Sequence, residues 1–442
     1  MPIANSSKSE PTAAATELCP RGYLLPFILV TALFFLWGIP NNLNDVLIRQ
    51  FMKSFAITRL QAGLVQSAFY MGYFLLAIPS ALYMRKLGYK AGFVTGLLLF
   101  GAGAFLFWPA ALIGRYSFFL FALFVMASGL AFLETASNTF IALSGSPETS
   151  ERRLNFSQAF NPLGSIAGAF IGTAFIFSGV ELSSQKIHAL QASHLYEAYL
   201  HTETLRVVRP YIFLGAVAIA WAILIMRTSF PVLRDEITQD TGQPASIPQL
   251  LRNRHLIFAI ITQFFYIGAQ VGTWSYFIPY IQNYGHQSEK TAGYLLTGTL
   301  VMFGIGRFTS TYIMKFIRPS RLMGIYSLIN IVLVAIGVLH PGWLGIWAIF
   351  MTSLFMSLMY PTIFSLGIQG LGSSSKVGGS LLVMAIVGGA VLTPVMGLVS
   401  EYFNLAVAYG IPLMAYILIA AYSFLGSTPA IYEATVDSPQ LI

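Results

Sequence analysis

Charge is what this chain lacks. Only 9% of its 442 residues are charged, against about a quarter in a soluble domain, while 56% are hydrophobic and mean hydropathy is +0.72. That balance excludes a soluble globular protein and marks an integral membrane protein. Cysteine is nearly absent too. Cys19 stands alone, so no intrachain disulfide and no multi-cysteine metal site is available. It also precedes the first apolar run, which argues against a lipid anchor. The six histidines (His188, His194, His201, His255, His286 and His340) fall in loops or at helix ends without metal spacing, so no metal is expected. No glycine loop cradles a phosphate and no nucleophile has a base beside it, which leaves ATP drive and enzymatic chemistry without residues. The net charge of +8 forms no basic stripe, so no nucleic-acid partner is expected.

Long apolar runs fill the space instead. Helices are predicted over 24–53, 60–85, 91–112, 116–143, 153–178, 208–227, 255–284, 290–316, 321–340, 343–370, 376–401 and 404–426. Runs of roughly 20 apolar residues span the bilayer core, and only helices or closed barrels satisfy the backbone there. The expected fold is therefore an all-α membrane protein of twelve transmembrane helices. An even number puts both termini on one side. With the termini in the cytoplasm, fifteen of the 24 Lys and Arg face inward, eight face outward, and Arg307 is left inside a helix, as the positive-inside rule asks. The first apolar run is too long for a cleavable signal peptide. The expected location is the bacterial inner membrane.

The polar stretch 228–254 carries Pro231, Pro244 and Pro248 and separates two halves. The expected organisation is a cytoplasmic tail over 1–22, six-helix halves over 23–227 and 255–427, the linker between them, and a second tail over 428–442. The halves match at a shift of 230 positions. Phe34-Phe35 and Gly38 fall on Phe264-Phe265 and Gly268, Ala62-Gly63 on Ala292-Gly293, and Met84-Arg85 on Met314-Lys315. Such repeats are the mark of a transporter that rocks around a site between its halves.

Two carboxylates lie where hydrocarbon disfavours them, Asp45 in the first segment and Glu134 in the fourth. A carboxylate at a helix centre costs about 2.5–3.5 kcal/mol on insertion scales, so it persists there for use. A structural ion pair with Arg49 or Arg307 is the alternative use. Amides surround both acids: Asn41, Asn42, Asn44 and, one turn after Glu134, Asn138. The fifth segment adds Gln158 and Asn161, then Gly164, Gly168 and Gly172, a small-residue ridge for close helix approach. The seventh carries Gln263, Tyr266, Gln270 and Trp274 on one stripe, the eighth Arg307, and the tenth Tyr360-Pro361-Thr362. Aromatic faces stack on the C–H face of a sugar while amides and carboxylates pair with its hydroxyls. An interhelical hydrogen bond is the alternative for any one amide. For Arg307 a structural role is favoured.

The basic loops 85–90 and 315–321 resemble that of the major facilitator superfamily, without its usual acidic residue. Asn41-Asn42-Leu43-Asn44-Asp45, Gln66 to Phe74, Leu133-Glu134-Thr135-Ala136, Gly268-Ala269-Gln270, Trp274-Ser275-Tyr276, Tyr360 to Gly367 and Thr393 to Gly397 resemble the L-fucose:proton symporter family. The resemblance runs from the first segment to the eleventh. It implies the major facilitator fold, proton coupling and sugar binding at Asp45 and Glu134, and sugar contacts from Gln158 and Asn161; the pattern of amides and aromatics adds Asn41, Asn42, Asn138, Gln270 and Tyr360 as candidate sugar contacts. Glu134 sides with the fucose-type members, whereas relatives resembling glucose/galactose carriers have glutamine there. Thr139 and Pro162 depart from the family pattern. The expected function is proton-coupled uptake of a monosaccharide, L-fucose or a similar hexose, by alternating access. The alternatives are a sodium-coupled or facilitative carrier of another hexose or N-acetylhexosamine, and a drug exporter. The expected partners are the sugar and the bilayer, with the proton in place of any cofactor and a monomer as the working unit.

Overall fold

The computed structural model describes residues 21–55, 57, 64–176, 184–231 and 246–427, and these are helices joined by short turns, with no strand among them. The principal helices are α1 (Leu24–Ser54), α2 (Leu64–Phe105), α3 (Tyr116–Leu143), α4 (Ser150–Gln158), α5 (Asn161–Ile171), α6 (Tyr196–Leu205), α7 (Val208–Arg227), α8 (Arg254–Ser275), α9 (Phe277–Gly285), α10 (Glu289–Ile313), α11 (Pro319–Leu339), α12 (Trp343–Met356), α13 (Met359–Ile368), α14 (Ser375–Met384), α15 (Gly388–Tyr402) and α16 (Gly410–Ala421). Several expected spans are broken in two. The fifth splits into α4 and α5 ahead of Pro162, the seventh into α8 and α9, and the tenth into α12 and α13 before Pro361. Proline removes a backbone donor and crowds the preceding turn, so each of these breaks falls close to a proline.

The reverse happens in α2. Its 42 residues would be about 63 Å long at 1.5 Å per residue, twice the roughly 30 Å hydrocarbon core. Gly88 breaks it with φ 79° and ψ 171°, a conformation natural only to glycine. The run from Leu64 to Phe105 thus contains two membrane crossings, joined by the short basic loop expected at 85–90. By length and composition, nine stretches of the described residues are apolar enough to cross a membrane, and Leu64–Ile113 is one of them. Ser150–Ile176, broken after Gln158, and Glu289–Ile313 stay outside that count, and these are the stretches that carry Gln158 and Arg307.

Following the alternation of crossings, the loops 85–90 and 315–321, the end of α3, the start of α4 and the end of α13 share one face, here the basic face. Large apolar side chains such as Phe213, Phe121 and Val332 remain exposed on the flanks, as lipid-facing residues do. The expected glycine ridge is used for helix approach. A Cβ on Gly164 would strike the Phe35 carbonyl oxygen of α1, and one on Gly168 that of Ile39. Helix α14 of the second half packs against α2 and α3 of the first.

At the basic face, Arg153 is fully buried and closes the end of α3. It donates to the carbonyl oxygens of Ile141 (2.8 Å), Ala142 (2.5 Å) and Ser146 (3.1 Å), and to the Thr149 hydroxyl (2.8 Å). The last carbonyls of a helix lack intrahelical partners and carry partial negative charge, so one guanidinium satisfies both needs. Gly164→Val should lower the stability of the purified protein by about 1–3 kcal/mol, the usual cost of overpacking. Gly22→Ala, with nothing within 4 Å of its Cβ, should leave it unchanged in the same thermal melt.

Candidate substrate and proton site

A cavity of about 630 Å³ lies between the two halves, within the size range of small-molecule sites. Its floor is polar. Glu134 of α3 is the only carboxylate among its described lining residues. The Tyr360 hydroxyl donates to Glu134 Oε1 at 2.6 Å, and the Tyr73 hydroxyl bonds the same carboxylate. Both tyrosines are buried, Tyr73 on α2 and Tyr360 on α13.

Glu134 terminates a chain of donors that crosses between the halves. Arg307 Nη1 on α10 donates to Gln158 Oε1 at 2.9 Å and to the Gln158 carbonyl at 2.6 Å. Gln158 Nε2 donates to Asn138 Oδ1 at 2.8 Å, and Asn138 Nδ2 reaches the Tyr360 hydroxyl at 3.5 Å. Every bond points the same way, from a guanidinium that only donates to a carboxylate that accepts. Arg307 Nε holds the Ser357 carbonyl at 2.9 Å, and its charge lies over the Phe303 ring at 4.7 Å. No described carboxylate pairs directly with Arg307; its field reaches Glu134 through the amides.

The walls are amphipathic. Trp37, Tyr70, Trp274 and Phe303 supply aromatic surface, while Asn41, Gln66, Asn161 and Gln270 supply amides. Trp274 is fixed by its Nε1–H to the Ser353 hydroxyl at 3.1 Å, and its ring meets Phe303 edge-on at 5.1 Å. Lining residues at the far ends of their crossings, Gln66, Ile278 and Leu296, carry the cavity away from the basic face. Toward the basic face the halves are tied together by Ser150–Ser365 (2.7 Å), Asn155–Thr362 (3.0 Å) and Gln369–Glu151.

Of the residues singled out from sequence, Asn41, Glu134, Gln158, Asn161, Gln270 and Tyr360 line this cavity. Asn161 also donates to the Phe34 carbonyl at 3.2 Å. Asn138 is fully buried behind the lining, bonded to Gln158 and Tyr360. Asn42 and Asp45 fall on α1, but their side chains lie outside the described residues. The stripe on the seventh segment divides: Gln270 and Trp274 face the cavity, Tyr266 donates to the Met356 carbonyl, and Gln263 is fully buried with no hydrogen-bond partner among the described residues. Tyr73, Tyr70 and Gln66 were not singled out individually. Their signal was the run Gln66 to Phe74, which carries all three on one helix.

Two helical halves around a polar cavity, sealed at one end, form the build of a polytopic membrane carrier. The chain belongs to the Major Facilitator Superfamily, whose profile matches residues 27–391. It is 44% identical over 404 residues to the L-fucose-proton symporter of Escherichia coli strain K12, covering 90% of this chain and 92% of that one. It is 34% identical to the L-fucose-proton symporter of Haemophilus influenzae (92% of this chain, 98% of that one). It is 32% identical to a glucose/galactose transporter of Brucella abortus (92% and 95%). Among solved structures it is similar to the major facilitator transporter FucP in the outward conformation, with TM-score 0.83 and 42% identity over 91% of this chain and 99% of that one.

Removing one partner from a buried, charge-assisted bond leaves the other unpaired and costs about 1–3 kcal/mol or more. Arg307→Met should therefore destabilise the protein by at least that amount in a detergent melt. Arg206→Ala, which breaks the partly exposed Arg206–Glu203 contact at 3.7 Å, should cost no more than about 1 kcal/mol.

Proposed function

We propose that this chain is a proton-coupled monosaccharide symporter, carrying L-fucose or a closely similar hexose inward across the bacterial inner membrane by alternating access. The observation that carries this reading is the cavity floor, where Glu134 accepts from two buried tyrosine hydroxyls beside a lining of amides and aromatics. The relatives named as L-fucose-proton symporters support it. The basic face is the cytoplasmic one, both termini are cytoplasmic, and the cavity opens outward. The halves extend over about 23–227 and 255–427, joined by a cytoplasmic linker.

The coupling follows from donor and acceptor arithmetic. As a carboxylate, Glu134 receives hydroxyl protons from Tyr73 and Tyr360. Once protonated it carries a donor of its own, and one acceptor lone pair is gone. The remaining acceptor sites still serve both tyrosine hydroxyls, so the new carboxyl O–H is the donor left without a partner, and a sugar oxygen in the cavity accepts it. Proton and sugar thus complete each other's bonding. With both bound, the floor holds neither a bare charge nor an unpaired donor, and closure of the outer side becomes less costly. Gln158, Asn161, Asn41, Asn42 and Gln270 pair with sugar hydroxyls, Trp274 stacks on its apolar face, and Asn138 holds Gln158 and Tyr360 in place. Asp45 governs release of the outward state.

The membrane potential makes the stoichiometry useful. One proton crossing 100 mV supplies about 2.3 kcal/mol, enough for roughly fifty-fold accumulation. Glu134→Gln in proteoliposomes should abolish accumulation of labelled L-fucose under an imposed pH difference while retaining sugar exchange. Full accumulation by this variant would remove Glu134 from the coupling step. A panel of labelled sugars with and without sodium identifies the substrate and excludes sodium drive when uptake is unchanged by its removal.

A further inference from the structure

Below the cavity floor lies a second buried carboxylate that the transport reading leaves unused. Glu151 is in the first turn of α4, ahead of the fifth crossing, and is only 4% exposed. Gln369 Nε2, just beyond α13, donates to Glu151 Oε1. The neighbouring contacts, Ser150 to Ser365 and Asn155 to Thr362, join the same two elements, so Glu151 lies in the seam that keeps the basic face shut. Any opening toward that face has to part Glu151 from Gln369 and admit water to the carboxylate.

We propose that Glu151 is a further proton-binding site, which senses the pH on the basic side of the membrane and slows the carrier when that compartment turns acid. The proposal rests on the preceding reading for the sugar that is carried and for the assignment of that compartment to the cytoplasm.

The charged and titratable groups around Glu151 are few. Its own helix offers Arg152 and Arg153, and Arg153 commits its nitrogens to the α3 carbonyls and Thr149. The preceding turn has Glu148, which is exposed. Helices α3, α10 and α13 bring Glu134, Arg307 and Tyr360, which are bonded to one another through the floor. On α1 the acidic and basic residues Asp45, Arg49 and Lys53 occupy its second half. Tyr422, after α16, lies within electrostatic reach of Glu151. His255, at the start of α8, is near Tyr422, with ring centroids 6.3 Å apart. It bonds the Leu366 carbonyl at 2.7 Å and thus acts on the turn that presents Gln369. Desolvation is the largest influence, and it pushes the Glu151 carboxyl up to about 7 against the opposing pull of Arg153 and Gln369.

The sign follows. With the seam shut, the carboxyl holds its proton up to near neutrality; with the seam open, water returns it to the ordinary carboxylate range. The shut state therefore binds a proton that the open state releases, and acid favours the shut state. Between pH 6 and pH 8 the balance should move by about tenfold toward opening. A symporter that brings protons in would then be slowed by the acidification it causes.

The test uses sugar exchange in oriented proteoliposomes, with the outer pH fixed and the pH on the basic side set between 6 and 8. Exchange should rise by up to about tenfold over this range with a midpoint near 7. Glu151→Gln should flatten the profile, Glu151→Asp should keep one, and Gln369→Leu, which removes a donor to the anion, should move the midpoint upward. The same profile should persist in a Glu134→Gln background, which separates this site from the coupling carboxylate whether or not Glu134→Gln still accumulates sugar. A wild-type profile in Glu151→Gln, or one erased instead by His255→Gln, overturns the proposal. If the profile follows the opposite compartment but is still erased by Glu151→Gln, the sensor stands and the assigned orientation falls.

Discussion

One chain of hydrogen bonds holds this architecture together at its centre. Arg307 donates to Gln158, Gln158 to Asn138, Asn138 to Tyr360, and Tyr360 to Glu134. The chain crosses between the halves three times, because Arg307 and Tyr360 belong to the second while Gln158, Asn138 and Glu134 belong to the first. Both ends are fixed by chemistry. A guanidinium has no acceptor and stays charged, so the amides between it and the acid are oriented toward the acid. A polar network inside a membrane protein is tolerated when each member is satisfied, and the seam of the two halves is where this chain satisfies them.

Such a network explains why the polar residues could not be redistributed at will. Glu134 alone in hydrocarbon is an expense, and Arg307 alone is a greater one. Joined through neutral amides, neither requires a direct ion pair, which would make the floor too rigid to part. Two of the contacts that span the halves on the basic side are likewise single hydrogen bonds between neutral partners, Ser150 to Ser365 and Asn155 to Thr362. Each contributes on the order of 1 kcal/mol, so the seam is strong enough to hold one state and weak enough to open. Small residues at the α1–α5 contact and large apolar ones on the lipid flank give each half a firm body to rotate with.

Much of this was legible in the sequence because membrane physics leaves few options. The crossings at 116–143 and 208–227 coincide with α3 and α7 to the residue. Apolar length, the loop at Gly88 and the acids out of place all follow from elementary costs. The interior breaks at Pro162 and Pro361 were not foreseen, since hydropathy is blind to a turn that stays buried in protein. Nor could periodicity tell Gln263 from Gln270 on the same stripe. A helix face of about 100° serves the cavity at one height and the packing of α8 against neighbouring helices at another, and only the tilt of the helix decides which. Arg307 was read as structural and is that and more, for its partner Gln158 lies in the other half, a relation that no local spacing reveals.

The central claim is that Glu134 gains its proton as the cavity fills. Infrared difference spectroscopy of the purified protein, recorded with and without sugar in light and heavy water, reads that proton directly. The account predicts a protonated carboxyl band that appears on sugar binding, shifts in heavy water and vanishes in Glu134→Gln. A carboxylate band at Glu134 that is unchanged by saturating sugar would contradict it.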